Sequence, residues 1–155
     1  MIQRIQSIYL LLTTLFSVLF LSGNIIKFTD SSGNLITMKY SGLVRYVEES
    51  TPELPGKLFP LIILILLITI LSLAVIFLFK NRKLQMQLTI GLLILAILLI
   101  VTVVAGSFYI MSRYEASIVL TIKLILPLLM VVCLYLAYRG MKKDETLVES
   151  LDRLR

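Results

Sequence analysis

Apolar residues gather into four blocks along this chain, separated by polar stretches. The first, Ile5 to about Ile26, reads IQSIYLLLTTLFSVLFLSGNII; it is uncharged and the most polar of the four. The second, Leu58 to Phe79, is LFPLIILILLITILSLAVIFLF, again without charge. The third runs uncharged from about Leu88 to Ile110, and the fourth, Ser117 to Tyr138, carries Lys123 and Pro127. Uncharged apolar runs of this length predict transmembrane helices: a block of about 22 residues rises roughly 33 Å, against a hydrocarbon core of about 30 Å. Lipid leaves no solvent partner for a bare backbone group, so each block is expected to close its own hydrogen bonds as a helix. The expected fold is an all-α membrane protein, an antiparallel four-transmembrane-helix bundle with spans near 5–26, 58–79, 88–110 and 117–138.

The connections refine this. KNRKLQMQ and MSRYEA are short, which makes neighbouring helices antiparallel. The loop 27–57 is different: KFTD and LITMKY flank SSGN, whose Gly and Asn tolerate the positive φ of a tight reversal, so a β-hairpin is predicted. GLVRYVEE after it reads as either a strand or a short helix. Pro60 falls near the first turn of span two, where its missing N–H costs little. Because a lone hairpin is marginal in water, it is expected to pack on the bundle's end, with Tyr40, Tyr46, Phe59, Tyr109 and Tyr114 forming an aromatic belt there. The first block has only Arg4 ahead of it, and its best cleavage site, Leu21-Ser22-Gly23, lacks A-x-A character; it is expected to be kept as a span and not removed as a signal peptide.

Composition agrees with the pattern: 155 residues, 59% hydrophobic and 15% charged, with a mean hydropathy of +1.00. Soluble chains are about 45–50% apolar and roughly 25% charged. The net charge of +6 comes from basic residues that flank the apolar blocks, so it points to membrane topology and away from nucleic acid. With the N-terminus inside, nine Lys and Arg are cytoplasmic: Arg4, then Lys80, Arg82 and Lys83, then Arg139, Lys142, Lys143, Arg153 and Arg155. Five lie outside: Lys27, Lys39, Arg45, Lys57 and Arg113. Both termini are therefore expected in the cytoplasm, with the hairpin outside.

Several chemistries drop out. There is no His and one Cys, Cys133, which excludes an intramolecular disulfide, a Cys/His zinc site and His-ligated haem. The four blocks carry no carboxylate for a proton relay, no triad forms without His, and no Gly-rich phosphate loop occurs. No cofactor or metal is predicted, and no enzymatic activity.

Two features remain as candidates. Lys123 lies inside the fourth block, where a lysine costs roughly 2.5–3.5 kcal/mol at the centre of a span. Either it snorkels to the outer headgroups, or its ammonium joins the Lys123 carbonyl left free by Pro127 in a polar pocket for a lipid headgroup or quinone oxygen. Small or polar pairs at spacing four, Thr13 with Ser17 and Thr102 with Gly106, suit close helix packing. The second candidate is the tail, 139–155. Arg139, Lys142 and Lys143 form a stop-transfer collar, and Gly140 is expected to end the span. Asp144 to Arg155 then predicts a separate cytoplasmic amphipathic helix with a stripe of Leu147, Val148, Leu151 and Leu154. Its four acids and two arginines favour docking on protein over anionic lipid, although twelve residues also make a marginal helix alone.

The opening MIQRIQSIYLLL and the closing RGMKKDETLVESLDRLR resemble a family of short bacterial four-span membrane proteins, domain of unknown function 4293, over the whole chain. The resemblance implies a bacterial inner-membrane location and brings no activity or site residues. The layout is also similar to claudin-type bundles, but the outer loop has neither their Trp nor their cysteine pair, and no junction function follows. The resulting expectation is a non-enzymatic accessory or scaffold subunit of an envelope complex, with a membrane-protein partner or self-association. The alternative is a lipid- or quinone-binding protein with a pocket near Lys123 and Pro127. A small transporter is disfavoured because the spans hold a single ionisable side chain.

Overall fold

The computed structural model describes residues 3–29, 35–39, 42–46, 59–78, 81–115, 117–119 and 121–152, with side chains for all of these except 3–4, 39, 42–46, 59, 114 and 148–152. Four helices, α1 (Gln3–Leu21), α2 (Phe59–Phe77), α3 (Arg82–Tyr114) and α4 (Ile125–Asp152), carry a small antiparallel sheet at one end. The sheet comprises β1 (Asn24–Thr29), β2 (Leu35–Lys39), β3 (Gly42–Tyr46) and β4 (Ser117–Val119). Of the segment 43–49, open between strand and helix from its sequence, 43–46 is strand and 47–49 lies outside the described residues.

Each helix buries one narrow seam. On α1 the buried positions are Gln6, Leu10, Thr13, Ser17 and Phe20; on α2 they are Leu61, Ile65, Ile68, Ser72 and Val75. On α3 they run Gln85, Thr89, Leu92, Ala96, Leu99 and Val103, and on α4 Met130, Leu134, Ala137 and Met141. The alternating steps of four and three are those of a heptad seam, which aligned helices bury against one another. α1 packs on α2 and α4, and α3 packs on the same two helices.

Polarity is distributed inside out. Gln6, Thr13, Ser17, Ser72, Gln85, Thr89 and Ser107 are buried, whereas Ile63, Ile70, Phe77, Ile94, Val101, Phe108 and Val132 are exposed. Such a continuous apolar exterior is untenable in water and ordinary in lipid. Three stretches, Pro60–Phe77, Arg82–Arg113 and Ile122–Leu147, are long and apolar enough to cross a membrane, and Ile5–Leu21 is a shorter apolar helix. The chain is a membrane protein.

The sheet has strand order β3-β2-β1-β4. The predicted hairpin is present as β1 and β2, with Phe28 opposite Ile36 and Ile26 opposite Met38; its turn, 30–34, lies outside the described residues. The β1–β2 register shifts between Asn24 and Ile26, which lets consecutive Ile25 and Ile26 both be buried where a regular pleat would expose one. β1 also pairs with β4, Phe28 opposite Ile118.

That last strand corrects the expectation for the fourth block. Ser117 to Val119 is strand, Ile122 to Leu124 a 3-10 turn, and the helix begins only at Ile125. Glu115, in the left-handed region at φ 46°, turns the chain out of α3 and into β4. The block is apolar throughout, but its first residues pair with the distant β1 and leave the helix. Similarly, the first block ends as helix at Leu21, and Asn24 to Ile26 belong to β1.

The tail is a second correction. Gly140 does not end a helix: α4 runs unbroken from Ile125 to Asp152, so residues 144–152 of the expected separate amphipathic helix are its continuation. A Cβ at Gly140 would lie 3.1 Å from Gln6 Cγ and 3.5 Å from Gln6 Nε2. The glycine therefore gives α1 room to approach α4, the role small residues take between membrane helices.

Candidate functional site

At the sheet end, α1 stops with no basic residue in its last turn. The Ser22 N–H donates to the Val18 and Leu19 carbonyls at 3.1 and 3.3 Å, and Ser22 Oγ donates to the Leu19 carbonyl at 2.7 Å. Gly23 follows at φ 74°, the left-handed conformation that commonly closes a helix. Lys123 Nζ donates to the Ser22 carbonyl. The cation that α1 lacks thus arrives from the turn preceding α4, placed where the negative end of a helix dipole favours it. A Cβ on Gly23 would stand 3.3 Å from this Nζ, so glycine serves both the backbone angle and the approach of the lysine.

Lys123 and Pro127 lie on successive elements. Lys123 occupies the 3-10 turn, half-exposed, near the start of the apolar stretch Ile122–Leu147. Pro127 is buried as the third residue of α4, among the first four N–H groups, which lack intrahelical acceptors in any case. The Lys123 carbonyl is approached by the Ile125 N–H, so it is not left bare by the proline. Next to the Lys123–Ser22 contact lies an open groove of about 530 Å³, lined by Val18, Leu21, Ser22 and Gly23 from α1's end and by Ile62 and Leu66 of α2.

In the middle of the bundle α1 and α2 are joined by hydroxyls. Thr14 Oγ1 and Ser72 Oγ share a hydrogen bond of 2.8 Å, and Thr69 Oγ1 donates to Ser17 Oγ at 2.9 Å. Each hydroxyl also has a carbonyl of its own helix within reach, Thr14 with Leu10, Ser17 with Thr14, Thr69 with Ile65 and Ser72 with Thr69, so that single protons are shared between the two kinds of contact. Of the pairs singled out by spacing, Ser17 does join two helices, while Thr13 is buried and bonds back to the Tyr9 carbonyl. Thr102 bonds back to Leu98 on an exposed face, and Gly106 faces Met38 of β2, whose Cε would be 3.3 Å from an added Cβ. That second pair makes a helix–sheet approach, not a helix–helix one.

At the opposite end, Gln6 Nε2 donates to Asp144 Oδ2 at 2.6 Å, fastening the start of α1 to α4. Gln85 Nε2 donates to the Val75 carbonyl at 3.1 Å, a second donor beside the Leu78 N–H at 3.2 Å, at the end of α2. Thr89 Oγ1 bonds the Gln85 carbonyl at 2.8 Å and lies 3.6 Å from Met141 Sδ. Arg82, Lys83, Arg139, Lys142 and Lys143 are all exposed at this end; Lys80 lies outside the described residues. In the proposed docking stripe, Leu147 is 48% exposed. Val148 and Leu151 sit on α4 with side chains outside the described set, as Leu154 is altogether.

Gln6, Thr14, Thr69, Ser72 and Gln85 were not singled out by the pattern analysis. Their signal is present: each is a polar residue in an apolar helix, and Thr69 and Ser72 stand at the i,i+3 spacing of one helix face. Among the described residues no cluster of three or more His, Cys, Asp or Glu is placed to hold a metal ion.

The family described as Domain of unknown function (DUF4293) matches residues 2–154, and the chain belongs to it. No curated protein and no solved structure matches the chain.

Proposed function

We propose that this member of the family is a non-enzymatic, four-span protein of the bacterial inner membrane, an accessory or scaffold subunit that engages a membrane-protein partner through the end of α4. In this reading α1 is also a span, the sheet is extracytoplasmic, and the end bearing Arg82, Lys83, Arg139, Lys142 and Lys143 faces the cytoplasm, following the positive-inside rule.

The observation that carries the reading is the unbroken course of α4. Its seam of Met130, Leu134, Ala137 and Met141 continues by steps of three and four to Asp144, Val148 and Leu151. Gln6 is level with Asp144, so α1, beginning at Gln3, runs out near 147. Thr89 is level with Met141, so α3, beginning at Arg82, runs out near 148. Positions 149–152 therefore extend past the described starts of α1 and α3, on the helix that packs against both. A rigid extension of this kind costs less ordering entropy on docking than a free tail would.

The test is affinity purification in mild detergent of the wild-type chain and of a Val148→Ser/Leu151→Ser/Leu154→Ser variant. The expected result is one partner, or a second copy of the chain, in fixed stoichiometry with wild type and lost from the variant while thermal unfolding of the bundle is unchanged. Equal recovery with both proteins refutes the docking role.

A second reading, lipid or quinone binding at Lys123 and Pro127, is favoured only in part. Neither Lys123 nor Pro127 lines the groove, and Lys123 is linked to it through its hydrogen bond to the carbonyl of Ser22, a lining residue.

A further inference from the structure

We propose that the groove between α1 and α2 holds one acyl chain of a glycerophospholipid from the leaflet at the sheet end, with its phosphate bound by the Lys123 ammonium. This does not depend on the docking role of α4.

The groove walls are the apolar side chains of Val18, Leu21, Ile62 and Leu66, and the volume of about 530 Å³ falls in the range of about 300–1,000 Å³ usual for small-molecule sites. Ser22 and Gly23 also line it; Lys123 Nζ donates to the Ser22 carbonyl and lies 3.3 Å from where a Cβ on Gly23 would stand. Gly23 has no side chain to screen the ammonium from the groove. Of the three Nζ protons one goes to the Ser22 carbonyl, and an ammonium offers two more donors. Site and cation are thus an apolar slot capped by one positive charge, complementary to an acyl chain ending in a phosphodiester.

Depth selects the same ligand. Between Lys123 and Arg139 the sixteen residue steps of turn and helix rise about 24 Å, short of a hydrocarbon core of about 30 Å. Beyond Lys123 this end exposes the apolar Ile118, Val119 and Ile122 together with the polar Ser117 and Lys27, the latter opposite Val119. In this proposal the Lys123 ammonium lies at the border of the hydrocarbon core, within reach of a headgroup phosphate. A quinone would fill the groove without using the full charge, and a free phosphate would leave the apolar walls empty.

Native mass spectrometry of the full-length protein released from detergent micelles tests this, with palmitoyl-oleoyl phosphatidylglycerol as the probe. One bound phosphatidylglycerol is expected. Its dissociation constant should rise about tenfold in Lys123→Gln, as for loss of one charge-assisted hydrogen bond, and should recover in Lys123→Arg. Leu66→Trp, which fills the groove from an exposed position (44% exposed), should weaken binding by a similar factor of about ten. Palmitoyl-oleoyl glycerol, with the same chains and no phosphate, and ubiquinone should each compete at least about tenfold less well. Undiminished binding by either Lys123→Gln or Leu66→Trp overturns the proposal, as does equal competition by the diacylglycerol or the quinone. If Lys123→Gln does not fold, Leu66→Trp and the competitors decide the outcome.

Discussion

Replacing Gly140 by valine separates a close-packing role from a helix-ending one. In the structure the Cβ alone would meet Gln6 Cγ at 3.1 Å, Nε2 at 3.5 Å and Cδ at 3.7 Å. Gln6 is buried and its amide is committed to Asp144, so its stem has little freedom to yield. Alanine asks for a shift of a few tenths of an ångström and in return gains about 1 kcal/mol of helix propensity, leaving a change near zero. Valine adds two methyl groups to a filled space, at about 1–3 kcal/mol, and forces Gln6 off Asp144. A hydrogen bond to a charged group contributes about 1.5–3 kcal/mol, so the combined loss is about 2.5–6 kcal/mol.

A double-mutant cycle isolates the cause. Gln6→Ala removes the obstructing side chain along with its hydrogen bond, so Gly140→Val in that background should cost less than about 1 kcal/mol, a coupling of at least about 1 kcal/mol. The assay is reversible unfolding in bicelles for the four proteins of the cycle. An additive cycle, or a Gly140→Val protein as stable as wild type, refutes the packing argument. A helix-ending glycine would behave differently: even alanine would perturb it, and the state of Gln6 would not matter.

Three further outcomes follow from the same contacts. Thr14→Val and Ser72→Ala should each lower bundle stability by about 0.6 kcal/mol, with most of the second loss absent once the first is made. Gln85→Leu removes one of two donors to the Val75 carbonyl, leaving the Leu78 N–H, and should cost about 0.5–1.5 kcal/mol, read in the same bicelle assay; a neutral result would mean that the α2 end needs no side-chain partner. A fluorescent protein active only in the cytoplasm should light up when fused after residue 155, and a phosphatase active only outside should work when inserted at residues 31–33; the reverse pattern sinks the proposed orientation.

The helices were legible because lipid demands long uncharged runs, and α2 and α3 supply them without interruption. Which face turns inward was harder to read. With both faces apolar, burial is set by a few polar side chains, and Thr14 against Ser72 or Gln6 against Asp144 depends on partners 58 and 138 residues away. β4 was hidden for the same reason. Ser117-Ile118-Val119 is as apolar as the helix after it, and only its pairing with β1, 88 residues distant where Ser117 Oγ meets the Thr29 carbonyl, makes it a strand. Gly140 was misread by a rule from soluble helices, where glycine more often ends a helix than admits a neighbour.

The two long-range polar contacts share a helix, and this says which element depends on the others. α1 is the helix whose apolar stretch, Ile5–Leu21, falls short of the length of the other three. It also buries the most polar seam, with Gln6, Thr13 and Ser17. Alone in lipid it would present those groups to hydrocarbon, a cost its modest apolar surface offsets poorly. In the fold its hydroxyls meet α2, its first turns are held by Asp144 of α4, and its last carbonyl is met by Lys123 of the turn that leads into α4. Both ends of α1 therefore wait on α4, which follows the other three described helices in the chain. Gln6, Gly140, Ser22 and Lys123 then serve one task, which is to keep a weakly apolar first helix in register with a last helix that reaches beyond it.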